Sequence, residues 1–240
     1  MGYALWVACG LVLAGIGARW QAGGSSIDPG QRPGLALMAL VGAILGAYAL
    51  QLPADLLGWN APPPPGVAGD GMPLGGHTVL GGLLGGWLAV EVQKRRAGIR
   101  RSTGDGFALP LALALGCGRL GCLTAGCCAG VPCEPGPWAC VDAAGVSRVP
   151  VQAIEVAFHF GAAVLLACGS RRGWQPGRRL LLYFAAYAVV RFVLEFWRQN
   201  PRVVAFLTWH QALAMLLDCL DADVQLSRDL LVGIALSYQL

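Results

Sequence analysis

Long apolar runs fill this chain, and clustered charge, proline or glycine interrupts them at intervals. They mark seven spans, at residues 3–18, 35–52, 78–92, 107–123, 152–167, 180–197 and 210–220. None shows the strict alternation of a half-buried strand, and their lengths suit helices rather than strands. Several fall short of the ~20 residues that a lone helix needs to cross a bilayer. Short, glycine-containing spans are common where helices break around a binding site. The last apolar piece, 230–240, is too short to span and continues the seventh helix or lies at the surface. With no internal repeat, the whole of 1–240 is expected to be one domain.

Polar residues between the spans set an orientation. Arg19 and Arg32 follow the first span, Lys94, Arg95, Arg96, Arg100 and Arg101 follow the third, and Arg171, Arg172, Arg178 and Arg179 follow the fifth. The alternate connections 53–77 and 129–150 carry no Lys or Arg and Arg148 alone, respectively. By the positive-inside rule the basic connections are cytoplasmic, which puts the N-terminus outside and the C-terminus inside. The loops at 53–77 and 129–150 are then outer-face loops, the first stiffened by a run of four prolines. Composition agrees: hydrophobic residues make up 56% of the chain and charged residues 12%, against roughly 25% charged in a soluble domain. The mean hydropathy is +0.59. The predicted fold class is an all-α membrane protein of about seven transmembrane helices. Its first span lacks the basic start of a signal peptide and is expected to be retained. A net charge of +4, scattered over the loops, does not support nucleic-acid binding.

Against this background a few polar residues stand at depths where they are expensive. Arg119 follows Leu-Ala-Leu-Ala-Leu (111–115) and sits in Gly116–Gly130, a stretch with four cysteines and five glycines. An arginine so placed has to face a protein interior or a polar cavity, and is a functional candidate. In the proposed topology the fourth span runs outward to Arg119, and the fifth begins at the same depth with Gln152 and Glu155. In the sixth, Tyr187, Arg191, Glu195 and Arg198 follow i, i+4, i+8, i+11 and share one helix face. At ~1.5 Å per residue from residue 180, Arg191 is about 17 Å up and Arg198 about 27 Å up, both in the outer half. Guanidinium pairs with phosphate through two parallel donors, so three arginines beside apolar walls suit a phospholipid headgroup. The alternative is that Glu155 and Glu195 neutralise the arginines and the set only locks helices together.

Cysteines pose a separate question. Cys9, Cys168 and Cys219 lie in or beside apolar runs and read as packing residues. Cys117, Cys122, Cys127, Cys128, Cys133 and Cys140 fall within twenty-four residues at the oxidising face. At least one disulfide is expected among Cys122, Cys127, Cys128, Cys133 and Cys140. Their spacing does not match a paired C-x2-C zinc site, so no metal and no cofactor is assigned, though a metal- or redox-active thiol cluster stays open as an alternative.

Four segments, Leu80-Gly-Gly-Leu-Leu-Gly-Gly, Gly118-Arg-Leu-Gly-Cys-Leu-Thr-Ala-Gly-Cys-Cys-Ala-Gly, Pro150-Val-Gln-Ala-Ile-Glu and Tyr187-Ala-Val-Val-Arg-Phe-Val-Leu-Glu-Phe-Trp-Arg, resemble the prolipoprotein diacylglyceryl transferases, in that family's order. Thr208-Trp-His-Gln211 is similar to its closing Thr-x-Gly-Gln element. The resemblance implies transfer of the diacylglyceryl group of phosphatidylglycerol to a lipobox cysteine of a prolipoprotein, with release of glycerol phosphate and without a metal. It also implies a bacterial inner-membrane location, and partners that are a phospholipid and a prolipoprotein signal-peptide region. It assigns Arg119, Arg191 and Arg198 to the lipid phosphate and Tyr187 to the catalytic set. Gln152, Glu155 and Gly130 match family positions, and Glu195 joins the substrate-binding group beside them.

This chain departs from the pattern at four places. Leu80 replaces the histidine before Gly-Gly-Leu, a candidate base, while Cys122, Ala125 and Cys127 replace the signature's two asparagines and its glutamate. His77, one helical turn before Leu80, is the candidate substitute base. His159 reads as packing, and His210 is a weaker candidate. Two other readings are a lipid-binding paralogue that is non-catalytic or uses another acceptor, and a thiol or metal membrane protein built on the 117–140 cysteines.

Overall fold

A computed structural model describes residues 2–22, 28–59, 78–100, 102–142, 144–198, 202–204, 207–208 and 211. Six long helices account for the first six expected spans: α1 (Gly2–Ala22), α2 (Arg32–Ala49), α4 (Val79–Arg96), α5 (Asp105–Thr124), α6 (Val151–Arg171) and α7 (Arg179–Glu195). A single turn, α3 (Leu52–Leu56), follows α2. The expected seventh span, 210–220, lies outside the described residues, apart from Gln211. Two small antiparallel ribbons complete the described residues, β1 (Cys140–Val141) with β2 (Ser147–Arg148), and β3 (Arg202–Val204) with β4 (Leu207–Thr208).

Among the described residues four segments are long and apolar enough to cross a membrane: Ala4–Gln21, Arg32–Leu56, Asp105–Thr124 and Val151–Arg171. The protein is thus an all-α, multi-pass membrane protein. α4 departs from the expected span because its helix continues past Val92 through the basic cluster Lys94–Arg96. There Lys94 is buried and pairs with Glu91 at 2.6 Å, so helix formation wins over the local loss of apolarity. α7 has 17 residues and carries two arginines and a glutamate within its length.

Apolar side chains face outward and polar ones inward, the reverse of a soluble bundle. Leu5, Leu11, Val12, Leu37, Leu45, Val164 and Leu165 are exposed, whereas Gln152, Glu155, His159, Arg191 and Glu195 are buried. Lipid takes the place of water around such a surface, so helix contact has to come from close packing and polar pairing. α1 packs on α5, α2 on α4, α5 on α6, and α7 on both α5 and α6.

Packing of α2 on α4 explains the Leu-Gly-Gly-Leu-Leu-Gly-Gly run. A Cβ on Gly42 would fall 2.4 Å from the Gly85 carbonyl oxygen, and one on Gly85 would fall 2.3 Å from that of Gly42. Gly46 and Gly81 are in the same relation, at 2.4 and 2.5 Å from each other's carbonyl oxygens. The two backbones touch, and only glycine fits. Leu80, on the other face of α4, is 2% exposed and packs in the core with Leu83, Ala112 and Tyr187.

At the end of the bundle far from Arg119, Asp105 joins α5 to α7. Its carboxylate accepts the backbone N–H groups of Gly177 (2.6 Å) and Arg179 (3.0 Å), which satisfies donors that the start of α7 leaves open. Gly85→Ala is expected to lower stability by about 1–3 kcal/mol, because the added methyl forces two backbones apart. A thermal melt in detergent should show this as a clear fall in Tm, while Gly15→Ala, with nothing within 4 Å of the added methyl, should leave Tm nearly unchanged.

Candidate functional site

Three helices bring charged residues to one place. α5 supplies Arg119 in its last two turns. α6 supplies Gln152, Glu155 and His159 on one face. α7 supplies Tyr183, Tyr187, Arg191 and Glu195 at a four-residue repeat, and Arg198 follows one turn beyond Glu195. The polar stripe read from the sequence does face Arg119.

At its centre is Glu155, which is fully buried. Arg119 Nε stands 3.1 Å from Oε2, and Arg191 Nε stands 3.9 Å from Oε1. The Tyr187 hydroxyl donates to Oε1 at 3.3 Å and itself accepts from Arg119 Nη2 at 3.5 Å. Oε2 has no directed hydrogen bond, so its contact with Arg119 is ionic. Arg191 also pairs closely with Glu195, and Arg198 Nε lies 3.6 Å from the same carboxylate. The result is a chain of alternating charge, Arg119, Glu155, Arg191, Glu195, Arg198, with Glu155, Arg191 and Glu195 buried, Arg119 and Arg198 half-buried, and three cations against two anions among the described residues. Arg198 Nη1 is buried with no hydrogen-bond partner among the described residues. Taking ions out of water costs several kcal/mol each unless they are paired. Among the described residues, one net positive charge and one open donor therefore suit this site to an anion.

The structure adds residues that the sequence reading placed outside the site. Thr208 Oγ1 donates to Glu195 Oε1 at 3.0 Å, and Gln211 braces Thr208 by accepting its backbone N–H at 2.9 Å and donating to the Phe192 carbonyl at 3.3 Å. The Thr-Trp-His-Gln element was the available signal, but its distance in sequence from Glu195 hid the contact. His159, read as packing, is buried in an aromatic wall with Phe158, Tyr183 and Tyr187. Its Nδ1 lies 2.8 Å from the Tyr183 hydroxyl, and its ring centroid lies 4.7 Å from that of Tyr187. His77 and His210 lie outside the described residues.

Two further candidates act on the loop after α5. Gln152 Nε2 donates to the Cys127 carbonyl at 2.5 Å. Gly130 is wedged between strands of chain: its N–H donates to Val149 O at 2.9 Å, and a Cβ there would fall 2.7 Å from the Trp197 carbonyl oxygen. The requirement for glycine at 130 is thus met by packing at the rim of the charged site.

The disulfide expectation needs correction. All eight described cysteines are free in the structure. The 129–150 loop is held by its backbone instead, through β1–β2, a bridge between Pro132 and Arg148, and hydrogen bonds from Cys133 N to Ser147 O and from Val149 N to Val131 O. Cys140 donates its thiol to the Arg148 carbonyl at 3.5 Å, and burial pushes that thiol up from its ordinary pKa. The sulfurs of Cys122, Cys127 and Cys128 converge, all within 4.8 Å of one another. Hydrogen bonds from Cys122 and Cys127 hold the Cys128 thiol well below its ordinary pKa, and the Arg198 and Arg119 charges add to this. Cys127, bonded to the other two, is held above its own.

Comparison with known proteins gives a consistent pattern. The family described as "Prolipoprotein diacylglyceryl transferase" matches residues 1–222. The chain is 31% identical over 179 residues to the phosphatidylglycerol–prolipoprotein diacylglyceryl transferase of Clostridium tetani, covering 70% of this chain and 68% of that protein. It is 30% identical over 133 residues to phosphatidylglycerol–prolipoprotein diacylglyceryl transferase 2 of Clostridium perfringens, covering 53% of this chain and 52% of the relative. A third relative, the phosphatidylglycerol–prolipoprotein diacylglyceryl transferase of Rhodopirellula baltica, is 33% identical over 141 residues, which is 28% of its own length.

Asp142 makes the β1–β2 ribbon pH-sensitive. Its pairing with Arg148, together with backbone N–H bonds from Val146 and Ala144, holds its carboxyl below the ordinary range. The ribbon's stabilisation is therefore complete above the unfolded carboxyl value of about 3.9 and is lost as pH falls below it. Amide hydrogen exchange across 140–149 should rise in acid below about pH 4, and Asp142→Asn should produce the same loosening at neutral pH.

Proposed function

This chain belongs to the prolipoprotein diacylglyceryl transferase family, and on that premise we propose that it transfers the diacylglyceryl group of phosphatidylglycerol to the thiol of a lipobox cysteine in a prolipoprotein. One observation carries the reading: three guanidiniums, that of Arg191 buried and those of Arg119 and Arg198 half-buried, face two buried carboxylates, and one donor, Arg198 Nη1, has no partner among the described residues. A lipid phosphodiester supplies the missing negative charge, while its tails stay in hydrocarbon outside the bundle.

In this reading Arg119, Arg191 and Arg198 bind the headgroup phosphate and stabilise it as it leaves as glycerol phosphate. Tyr187 is catalytic through its hydroxyl, which joins Arg119 to Glu155 and fixes both. Glu155 and Glu195 hold the arginines in register, and Gln152 and Gly130 shape the loop that closes the site. The acceptor thiol has to lose its proton before it attacks the glycerol carbon. Leu80 has no basic atom, so we assign that role to His77, one turn earlier in sequence. The site faces the outer leaflet of a bacterial inner membrane in a topology of seven spans with the N-terminus outside. The partners are phosphatidylglycerol and the signal-peptide region of a prolipoprotein, with no cofactor required by the arginine site.

The test is direct. Purified protein, phosphatidylglycerol vesicles and a synthetic lipobox peptide should yield a peptide heavier by one diacylglyceryl group, and a cysteine-to-serine peptide should stay unmodified. Absence of product with any cysteine acceptor overturns the assignment. Arg191→Lys keeps charge but loses the planar paired contact, and should lower turnover by about 10²-fold. His77→Ala should lower turnover more than His159→Ala does; equal or smaller loss would remove His77 as the base and leave the phosphate site standing.

A further inference from the structure

The sulfur cluster beside the arginines is not used by the reaction as drawn above. Cys122 closes the last turn of α5. Beyond it Gly126 and Cys128 both adopt left-handed backbone, with φ of 65° and 63°, and turn the chain back on the helix end. Cys127 N then donates to the Cys122 carbonyl at 3.1 Å, and Gln152 clamps the Cys127 carbonyl from α6 at 2.5 Å. A non-glycine residue rarely takes a positive φ unless its surroundings hold it there. Here the outcome is three Sγ atoms within 4.8 Å of one another, two of them on exposed residues.

We propose that Cys122, Cys127 and Cys128 bind one zinc ion as three thiolates, and that the fourth position receives the thiol of the acceptor cysteine. In a tetrahedral thiolate site with Zn–S near 2.3 Å, neighbouring sulfurs stand about 3.8 Å apart, so the three need to close by no more than about 1 Å. Among the described residues no further His, Cys or carboxylate joins the group. Three protein ligands with an open position are the pattern of reactive zinc sites, whereas structural sites are filled with four. Exposure of Cys127 and Cys128 leaves that position reachable by a second molecule. Three thiolates and Zn²⁺ carry one net negative charge, and Arg198 and Arg119 supply the opposing field.

Chemically this meets the requirement that Leu80 leaves open. A thiol coordinated to zinc is deprotonated outright. The acceptor S–H bond breaks as the Zn–S bond forms, and the proton passes to water. The bound sulfur then forms a bond to the glycerol carbon as the C–O bond to phosphate breaks, and glycerol phosphate leaves with the bonding electron pair. The product thioether is neutral and a weak ligand, so it departs and reopens the site. This acceptor role rests on the transferase reading, whereas metal binding does not.

The experiment uses the full reduced chain in detergent, stripped of metal and titrated with Co²⁺ as a coloured stand-in for zinc. One cobalt per chain is expected, with a thiolate-to-cobalt charge-transfer band, four-coordinate ligand-field bands and displacement by Zn²⁺. Cys127→Ser and Cys128→Ser should each weaken binding by more than about tenfold, and Cys168→Ser should not. Adding the cysteine lipobox peptide should shift the ligand-field bands and strengthen the charge-transfer band, while its serine counterpart should do neither. In the lipidation assay, chelation should lower turnover and Zn²⁺ should restore it. Failure of the reduced protein to bind cobalt stoichiometrically, binding that survives in the triple Cys→Ser variant, or full lipidation by chelated protein overturns the proposal. Cobalt binding with a cysteine-specific peptide response, but no lipidation with any acceptor, upholds the metal and acceptor-thiol site and removes the transferase reading instead.

Discussion

A carboxylate with no access to solvent, held between two guanidiniums from different helices, is the constraint on which the rest of this molecule depends. Glu155 is on α6, Arg119 on α5 and Arg191 on α7. Removing any one of them strands the others as uncompensated charge in a medium that cannot solvate it. In a bundle surrounded by lipid there is no hydrophobic drive to press helices together. The charge chain therefore fixes how α5, α6 and α7 sit against one another, and among the described residues it leaves one cation in excess. The reading of these charges as helix glue and the reading as a binding site describe the same atoms.

How much of this was legible beforehand depended on the kind of interaction. The six described long helices could be read from apolar runs, because in a membrane protein composition is set by the solvent around each span. The stripe of Tyr187, Arg191, Glu195 and Arg198 could be read from helical periodicity alone. Its meeting with Arg119 followed because an arginine so deep has few acceptable neighbours. The contact of Thr208 with Glu195 was not legible, since it joins an irregular segment to a helix and no period predicts it. Nor was the role of Gln152 as a clamp on the Cys127 carbonyl, which depends on backbone facing that sequence does not encode locally. The extension of α4 through Lys94–Arg96 escaped because charge was taken as the end of a span, while the helix needed only Glu91 as a partner for Lys94.

The loop between α5 and α6 shows why a count of cysteines misleads. Six thiols in a short stretch suggested covalent staples, yet the ribbon, the Asp142–Arg148 pair and the wedge at Gly130 already hold that loop. With the loop so fixed, three sulfurs are left to gather at the end of α5, next to the arginines. The motif resemblance implies asparagine and glutamate at the positions of Cys122 and Cys127, so this chain offers soft sulfur donors where that pattern offers oxygen ones.

Contact between the α2 and α4 backbones has a consequence for how any lipid reaches the interior. Helices whose carbonyls rest against each other's glycines can slide or part only by losing that whole seam at once, so α2 and α4 form a fixed wall. α7, by comparison, is held to α5 and α6 by the ion pair of Arg191 with Glu155 and by Tyr183, Phe184, Tyr187 and Ala188 in the core. A lipid that reached the interior would therefore have to pass elsewhere than between α2 and α4.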